Sequence, residues 1–106
     1  MKLVELVSFF RRGGTFEKFC YEHQLDPESE VIEIYALVPL KIDSELAFFP
    51  IEETGGKITH FVGGHEYQNL FDFYYFLDVI NELGDEPAHL DVEVSDRLFE
   101  YAIHDR

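Results

Sequence analysis

Residues 46–83 read LAFFPIEETGGKITHFVGGHEYQNLFDFYYFLDVINEL, and the fold turns on how this stretch is divided. Two apolar runs at its start flank Gly55-Gly56. Glycine tolerates the positive φ angles that tight two-residue turns demand, so the pattern predicts an antiparallel hairpin with strands over residues 46–53 and 57–62. Pro50 has no amide hydrogen to give to a ladder, which puts its strand at an edge or a bulge. Gly63-Gly64 interrupt the second run. Over residues 66–83, Leu70, Phe73, Tyr74, Leu77 and Ile80 recur at helical spacing, and Phe76, Val79 and Leu83 widen that face. Only Gln68, Asp72 and Glu82 mark a polar stripe, so the expectation is one long, mostly buried helix packed on the sheet.

Working outward, Leu3, Leu6, Val7 and Phe10 predict a helix over residues 2–12, stopped by Gly13-Gly14. Thr15 has the chemistry of an N-cap for a second helical stretch, on which Phe16, Phe19, Cys20 and His23 share a face. Residues 27–38 carry conflicting signals. Asp26-Pro27-Glu28 looks like a helix start, whereas VIEIYALV that follows is β-branched and alternating. The reading adopted is one turn at Pro27, then a strand over residues 31–38 that Pro39 ends. Beyond Gly84 and an Asp85-Glu86-Pro87 loop, Leu90, Val92 and Val94, then Phe99, Tyr101 and Ile103, alternate with more polar neighbours. That predicts two short strands joined by a turn at Ser95-Asp96. The 106 residues, of which 11 are Phe and 6 are Tyr, thus form a single α+β domain: N-terminal helical segments, an antiparallel sheet with a Gly-Gly hairpin, and the long helix.

The chain holds 22 acids against 8 bases, a net charge of −14. Lys2, Arg11, Arg12 and Lys18 all lie near the N-terminus, while residues 58–96 contain no Lys or Arg and many acids. Such a field repels phosphate backbones and anionic membrane surfaces, so no nucleic acid or membrane partner is expected. It attracts a basic protein and speeds its approach. The longest apolar runs, residues 36–40 and 73–77, are far shorter than the ~20 residues that span a bilayer. Cys20 is the only cysteine and is read as a buried apolar residue of a cytoplasmic protein, because no internal disulfide can form. The N-terminal residues place a Glu within their apolar part and their basic pair last, which is not the order of a secretory signal.

No residue set is assigned as catalytic, and no metal or cofactor is expected. His60, His65 and Glu66, with Cys20 and His23, match neither spacing that zinc sites use. Ser8, Ser29, Ser44 and Ser95 sit in no nucleophile frame, and the glycine pairs lack phosphate-loop spacing. The leading expectation is a small acidic domain that neutralises or inhibits a basic partner, in the manner of a toxin immunity protein. Its candidate partner-binding residues are Asp72, Tyr75, Asp78, Glu82, Asp85, Glu86, Asp91 and Glu93. Tyr67 and Phe71, stepping by four into Tyr75, form a candidate aromatic interface. The segment FFPIEETGGKITHFV, residues 48–62, resembles the acidic Gly-Gly segment of SUKH-type immunity domains. Two other readings stay open: a small enzyme or ligand-binding domain with an aromatic-lined pocket and His60 or His65 as acid–base group, and a homodimeric structural or regulatory subunit joined through the Tyr67, Phe71, Tyr75 strip.

Overall fold

The computed structural model describes residues 1–83 and 90–104. In chain order these form α1 (Leu3–Arg11), α2 (Phe16–Glu22), β1 (Ile32–Leu37), β2 (Leu46–Pro50), α3 (Ile51–Thr54), β3 (Thr59–Val62), β4 (His65–Asp72), α4 (Phe73–Leu83) and α5 (Asp91–His104). The strands make one antiparallel sheet in the order β2-β1-β4-β3. The architecture is therefore α+β, and among the described residues no helix is long and apolar enough to cross a membrane.

The N-terminal helices form for the local reasons visible in their residues. Leu3, Leu6, Val7 and Phe10 bury one face of α1. The helix stops where Gly14 folds back on it: a Cβ at Gly14 would lie 2.6 Å from the Phe9 carbonyl oxygen, so only glycine allows the approach. Thr15 caps α2, its Oγ1 accepting from the Lys18 amide at 3.2 Å. The conflict over residues 27–38 is resolved as a turn followed by a strand. Asp26 Oδ1 accepts from the Glu28 amide at 2.9 Å, which closes the turn around Pro27, and β1 follows.

One face of the sheet carries the main core. Ile32, Ile34 and Ala36 of β1 and Phe71 of β4 meet the apolar faces of α1, α2, α4 and α5. Phe19 sits among them, its ring 4.9 Å from Phe48, 5.2 Å from Phe73 and 5.7 Å from Phe10, and so ties α2 to β2, α4 and α1. On the opposite face, Phe49 of β2 lies 4.8 Å from His60 of β3. Those are the two outermost strands, so the sheet curls strongly enough for its edges to meet across this face. Tyr35 and Tyr67 complete the aromatic cluster at 5.3 and 5.9 Å from Phe49, and Tyr35 donates its hydroxyl to the Lys57 carbonyl.

Three expectations are corrected. Gly55-Gly56 is not a hairpin turn, because β2 pairs with β1 and β3 with β4 on the far side. The chain leaves β2 at Pro50, whose φ of −66° suits entry to a helix, and makes the single turn of α3. Gly55 then ends that turn in the left-handed region at φ 67°, its amide bonding the Ile51 carbonyl at 2.8 Å. The Gly-Gly hairpin lies instead at Gly63-Gly64, where φ values of 57° and 82° suit a two-residue turn between Val62 and His65. Residues 66–83 are not one helix: β4 runs to Asp72, and only α4 is helical. β3 pairs with the first half of β4 and β1 with its second half, the two overlapping at Tyr67 and Gln68, and Asp72 Oδ1 then accepts from the Tyr75 amide at 2.8 Å to start the helix. Residues 91–104 are one helix rather than two strands, since Val94, Leu98 and Ala102 bury a stripe at i, i+4, i+8. Ser95, expected in a turn, lies inside α5 with its hydroxyl donating to the Val92 carbonyl at 3.1 Å. The loop expected at Asp85-Glu86-Pro87 lies outside the described residues.

Truncating Phe19 removes packing from four elements at once, so Phe19→Ala is expected to lower unfolding free energy by about 3–5 kcal/mol in urea titrations. A second expectation concerns Glu52, which accepts from Ser29 Oγ at 2.6 Å and from the Glu30 amide at 3.3 Å. The Ser29 hydroxyl first, with backbone hydrogen bonds behind it, holds the Glu52 carboxyl below the usual glutamate range. A lowered folded-state pKa means the stabilisation is complete above the unfolded pKa and is lost as pH falls through the folded one. Carbon-detected NMR titration should therefore show Glu52 titrating at higher pH in Ser29→Ala than in the parent.

Candidate functional site

The feature with the most chemistry is a cleft of about 390 Å³ where the sheet, the 56–58 loop and the last turn of α5 converge. Its origin is topological. β3 pairs with β4 only as far as Thr59 opposite Gln68, with one further bond from the Asn69 amide to the Ile58 carbonyl at 2.7 Å. The outer edge of residues 70–72 has no neighbouring strand among the described residues, and the cleft runs along it. A bulge shifts the β1–β4 register, so that Ile34 faces Phe71 while Tyr35 faces Asn69. Asn69 and Phe71 consequently serve opposite faces of the sheet, with Leu70 between them.

Glu33 and Asp72 line the cleft and stand directly opposite each other in the β1–β4 ladder. Glu33 is only 9% exposed. Both its oxygens are met: Thr54 Oγ1 donates to Oε1 at 2.9 Å and Asn69 Nδ2 donates to Oε2 at 2.8 Å. Thr54 is itself held by the Gly56 amide at 3.2 Å, so α3 and its glycine stop position one of the two donors. Both donors are neutral groups. No Lys, Arg, His or Cys is among the described residues that line the cleft. The opposite wall is aromatic: the rings of Tyr75 and Tyr101 stack at 4.2 Å with an interplanar angle of 16°. Ile58, 61% exposed, adds an apolar lip. Two carboxylates beside flat aromatic rings favour a cation with a planar or apolar body.

The residues singled out as partner-binding are distributed around this cleft and beyond it. Asp72 and Tyr75 line it. Asp78 and Glu82 are exposed on α4 and Glu93 on α5. Asp91 is engaged internally by Arg11 at 2.9 Å and Arg12 at 3.5 Å, an ion-pair cluster that joins α5 to α1. Asp85 and Glu86 lie outside the described residues. Tyr67 is set apart from Phe71 and Tyr75: it packs on Phe49, whereas the Phe71 ring lies 5.7 Å from Tyr75, which in turn stacks on Tyr101. All three are contiguous only if residues 66–75 are helical, and in the strand the bulge separates Tyr67 from Phe71.

Cys20 is buried and His60 partly so, whereas His23, His65 and His104 are exposed. His60 sits in the aromatic cluster, 3.5 Å from Glu53, and the ring of His23 stacks on Phe19 at 4.1 Å. Burial pushes the Cys20 thiol up, with the Glu17 and Asp26 carboxylates adding in the same direction, so it stays protonated and unreactive at neutral pH. No group of His, Cys, Asp and Glu among the described residues is arranged to hold a metal ion.

Glu33, Asn69, Thr54 and Tyr101 are the site residues that sequence reasoning missed. The one signal was Glu33 itself, an acid between Ile32 and Ile34 in an otherwise apolar strand. Asn69→Leu removes one of its donors and should cost about 1.5–3 kcal/mol of unfolding free energy, as expected for a hydrogen bond to a charged group. Combining Asn69→Leu with Glu33→Leu should recover part of that loss in a double-mutant cycle. No protein-family model, curated protein or solved structure matches this chain.

Proposed function

We propose that this protein is a small acidic binding domain that captures and neutralises a basic protein, as inhibitors and toxin immunity proteins do. The observation that carries this reading is the placement of charge. Among the described residues, the Arg and Lys side chains within ion-pair distance of a carboxylate are Arg11 and Arg12, and both address Asp91. Asp78 and Glu82 on α4 are one turn apart, a like-charge spacing that disfavours the isolated helix and favours a cation arriving from outside. Glu93, Asp96 and Glu100 extend the same field along α5. Such a field raises encounter rates with a basic surface, including the cationic groove of a nuclease, and repels a second copy bearing the same −14. A single buried cysteine suits a reducing compartment, and we place the encounter in the cytoplasm.

Capture from the native host followed by binding kinetics provides the test. The partner should be basic, and its association rate should fall steeply as salt rises. Asp78→Lys combined with Glu82→Lys should slow association by about tenfold or more while leaving the thermal melt in place. A partner without basic character, or an association rate indifferent to salt, would overturn the reading.

A further inference from the structure

We infer that the Glu33–Asp72 cleft is a receptor for one arginine side chain presented by the basic partner; the inference rests on the binding reading above and names what that partner must insert. The carboxylates supply the charge. Each offers up to about four lone-pair sites, and the structure uses two on Glu33 and one on Asp72. The rest can accept from a guanidinium, whose planar fork carries five N–H donors. The walls supply the shape. A guanidinium plane lies well against tyrosine rings, and Tyr75 and Tyr101 are already held parallel to one another. Ile58 at the lip covers the aliphatic stem that a long cationic side chain brings with it. A cleft of about 390 Å³ also falls within the size range of small-molecule pockets.

Arginine is favoured over lysine because an ammonium is a compact, strongly hydrated point charge that neither stacks on the rings nor bridges two carboxylates in one plane. A side chain on a protein is favoured over free arginine, whose own carboxylate would have to enter a field of −14. The edge of residues 70–72, which has no neighbouring strand among the described residues, adds a further reason. An extended partner segment can add to a sheet edge through its backbone while one of its side chains reaches sideways into a pocket.

The test is a titration of the full chain, labelled with nitrogen-15, with four probes: the N-acetyl methylamides of arginine, lysine and citrulline, and free arginine. The blocked arginine should produce saturable amide shifts centred on Asn69, Asp72, Tyr75 and Ala102. Blocked lysine should bind about threefold or more weaker, blocked citrulline should give no saturable shift, and free arginine should bind weaker than the blocked form. Asp72→Asn retains the helix cap and Tyr101→Leu retains apolar volume; each should weaken blocked arginine by about fivefold or more with an unchanged circular-dichroism spectrum. Equal shifts from arginine and lysine spread over the acids of α4 and α5, or affinity unchanged in both variants, would overturn the cleft assignment. Tighter binding of free arginine than of the blocked form would overturn the partner side chain as its source. The two proposals fail separately: loss of arginine binding with salt-dependent partner capture intact removes the cleft alone, whereas salt-indifferent capture removes the binding reading on which it rests.

Discussion

β1 is buried on both faces and paired on both edges, and most of the molecule follows from satisfying it. Every residue from Ile32 to Ala36 is buried. On one side this is ordinary: Ile32, Ile34 and Ala36 meet the helices, and burying side chains of that size contributes about 1.5–3 kcal/mol for each large aliphatic. On the other side the same strand presents Glu33 and Tyr35, whose polar atoms must be met before they can be covered. The single turn of α3, the stop at Gly55 and the loop to Lys57 deliver Thr54 Oγ1 to the acid and the Lys57 carbonyl to the phenol. The short segment between β2 and β3 is thus the polar lid of the central strand, and the curl of the sheet lets a lid this small close over it.

That dependence explains which parts of the fold were legible in the residues. α1, the Thr15 cap, the Pro27 turn and β1 are determined within a few residues of themselves, by apolar period or by a side chain bonding a nearby amide. Gly55-Gly56 could not be read that way. A glycine pair between apolar runs has the same local chemistry whether it reverses a hairpin or stops a helical turn, and the choice is made by where β2 finds its partner. Residues 66–72 failed for a related reason. Leu70 happens to fall in helical phase with Phe73 and Tyr74, but two strand neighbours and a bulge outweigh that weak local preference. In α5 the alternation of Val92 and Val94 is incidental, since Val92 is exposed and Val94 buried by helical period.

The candidate site was legible in its charge and illegible in its shape. An acid-rich stretch without Lys or Arg is visible by inspection, and Asp72, Asp78, Glu82 and Glu93 follow from it. The cleft, however, joins Glu33 of β1 to Asp72 at the end of β4 and to Tyr101 at the end of α5, residues far apart in the chain. What brings the first two together is the ladder register, and what leaves the space open is that β3 ends early. Neither is encoded near the residues concerned.

The few basic residues show how little of the negative charge the fold itself needs. Arg11, with a side chain 12% exposed, and Arg12 both meet Asp91, and this cluster sets the first turn of α5 against the last turn of α1. A partly buried pair of this kind fixes geometry more than it adds stability. The remaining packing between those helices is apolar, through Leu3, Leu6, Val7, Val94 and Leu98. Folding therefore draws on one acid of α5 and leaves Glu93, Asp96 and Glu100 exposed. Glu33 differs from those in kind, since it is buried and its two oxygens are met by the neutral donors of Thr54 and Asn69. Glu33 stands opposite a second carboxylate across the ladder and lines the same cleft as the tyrosine pair, and among the described residues no Lys or Arg lines that cleft, which is the arrangement the inferred arginine side chain would meet.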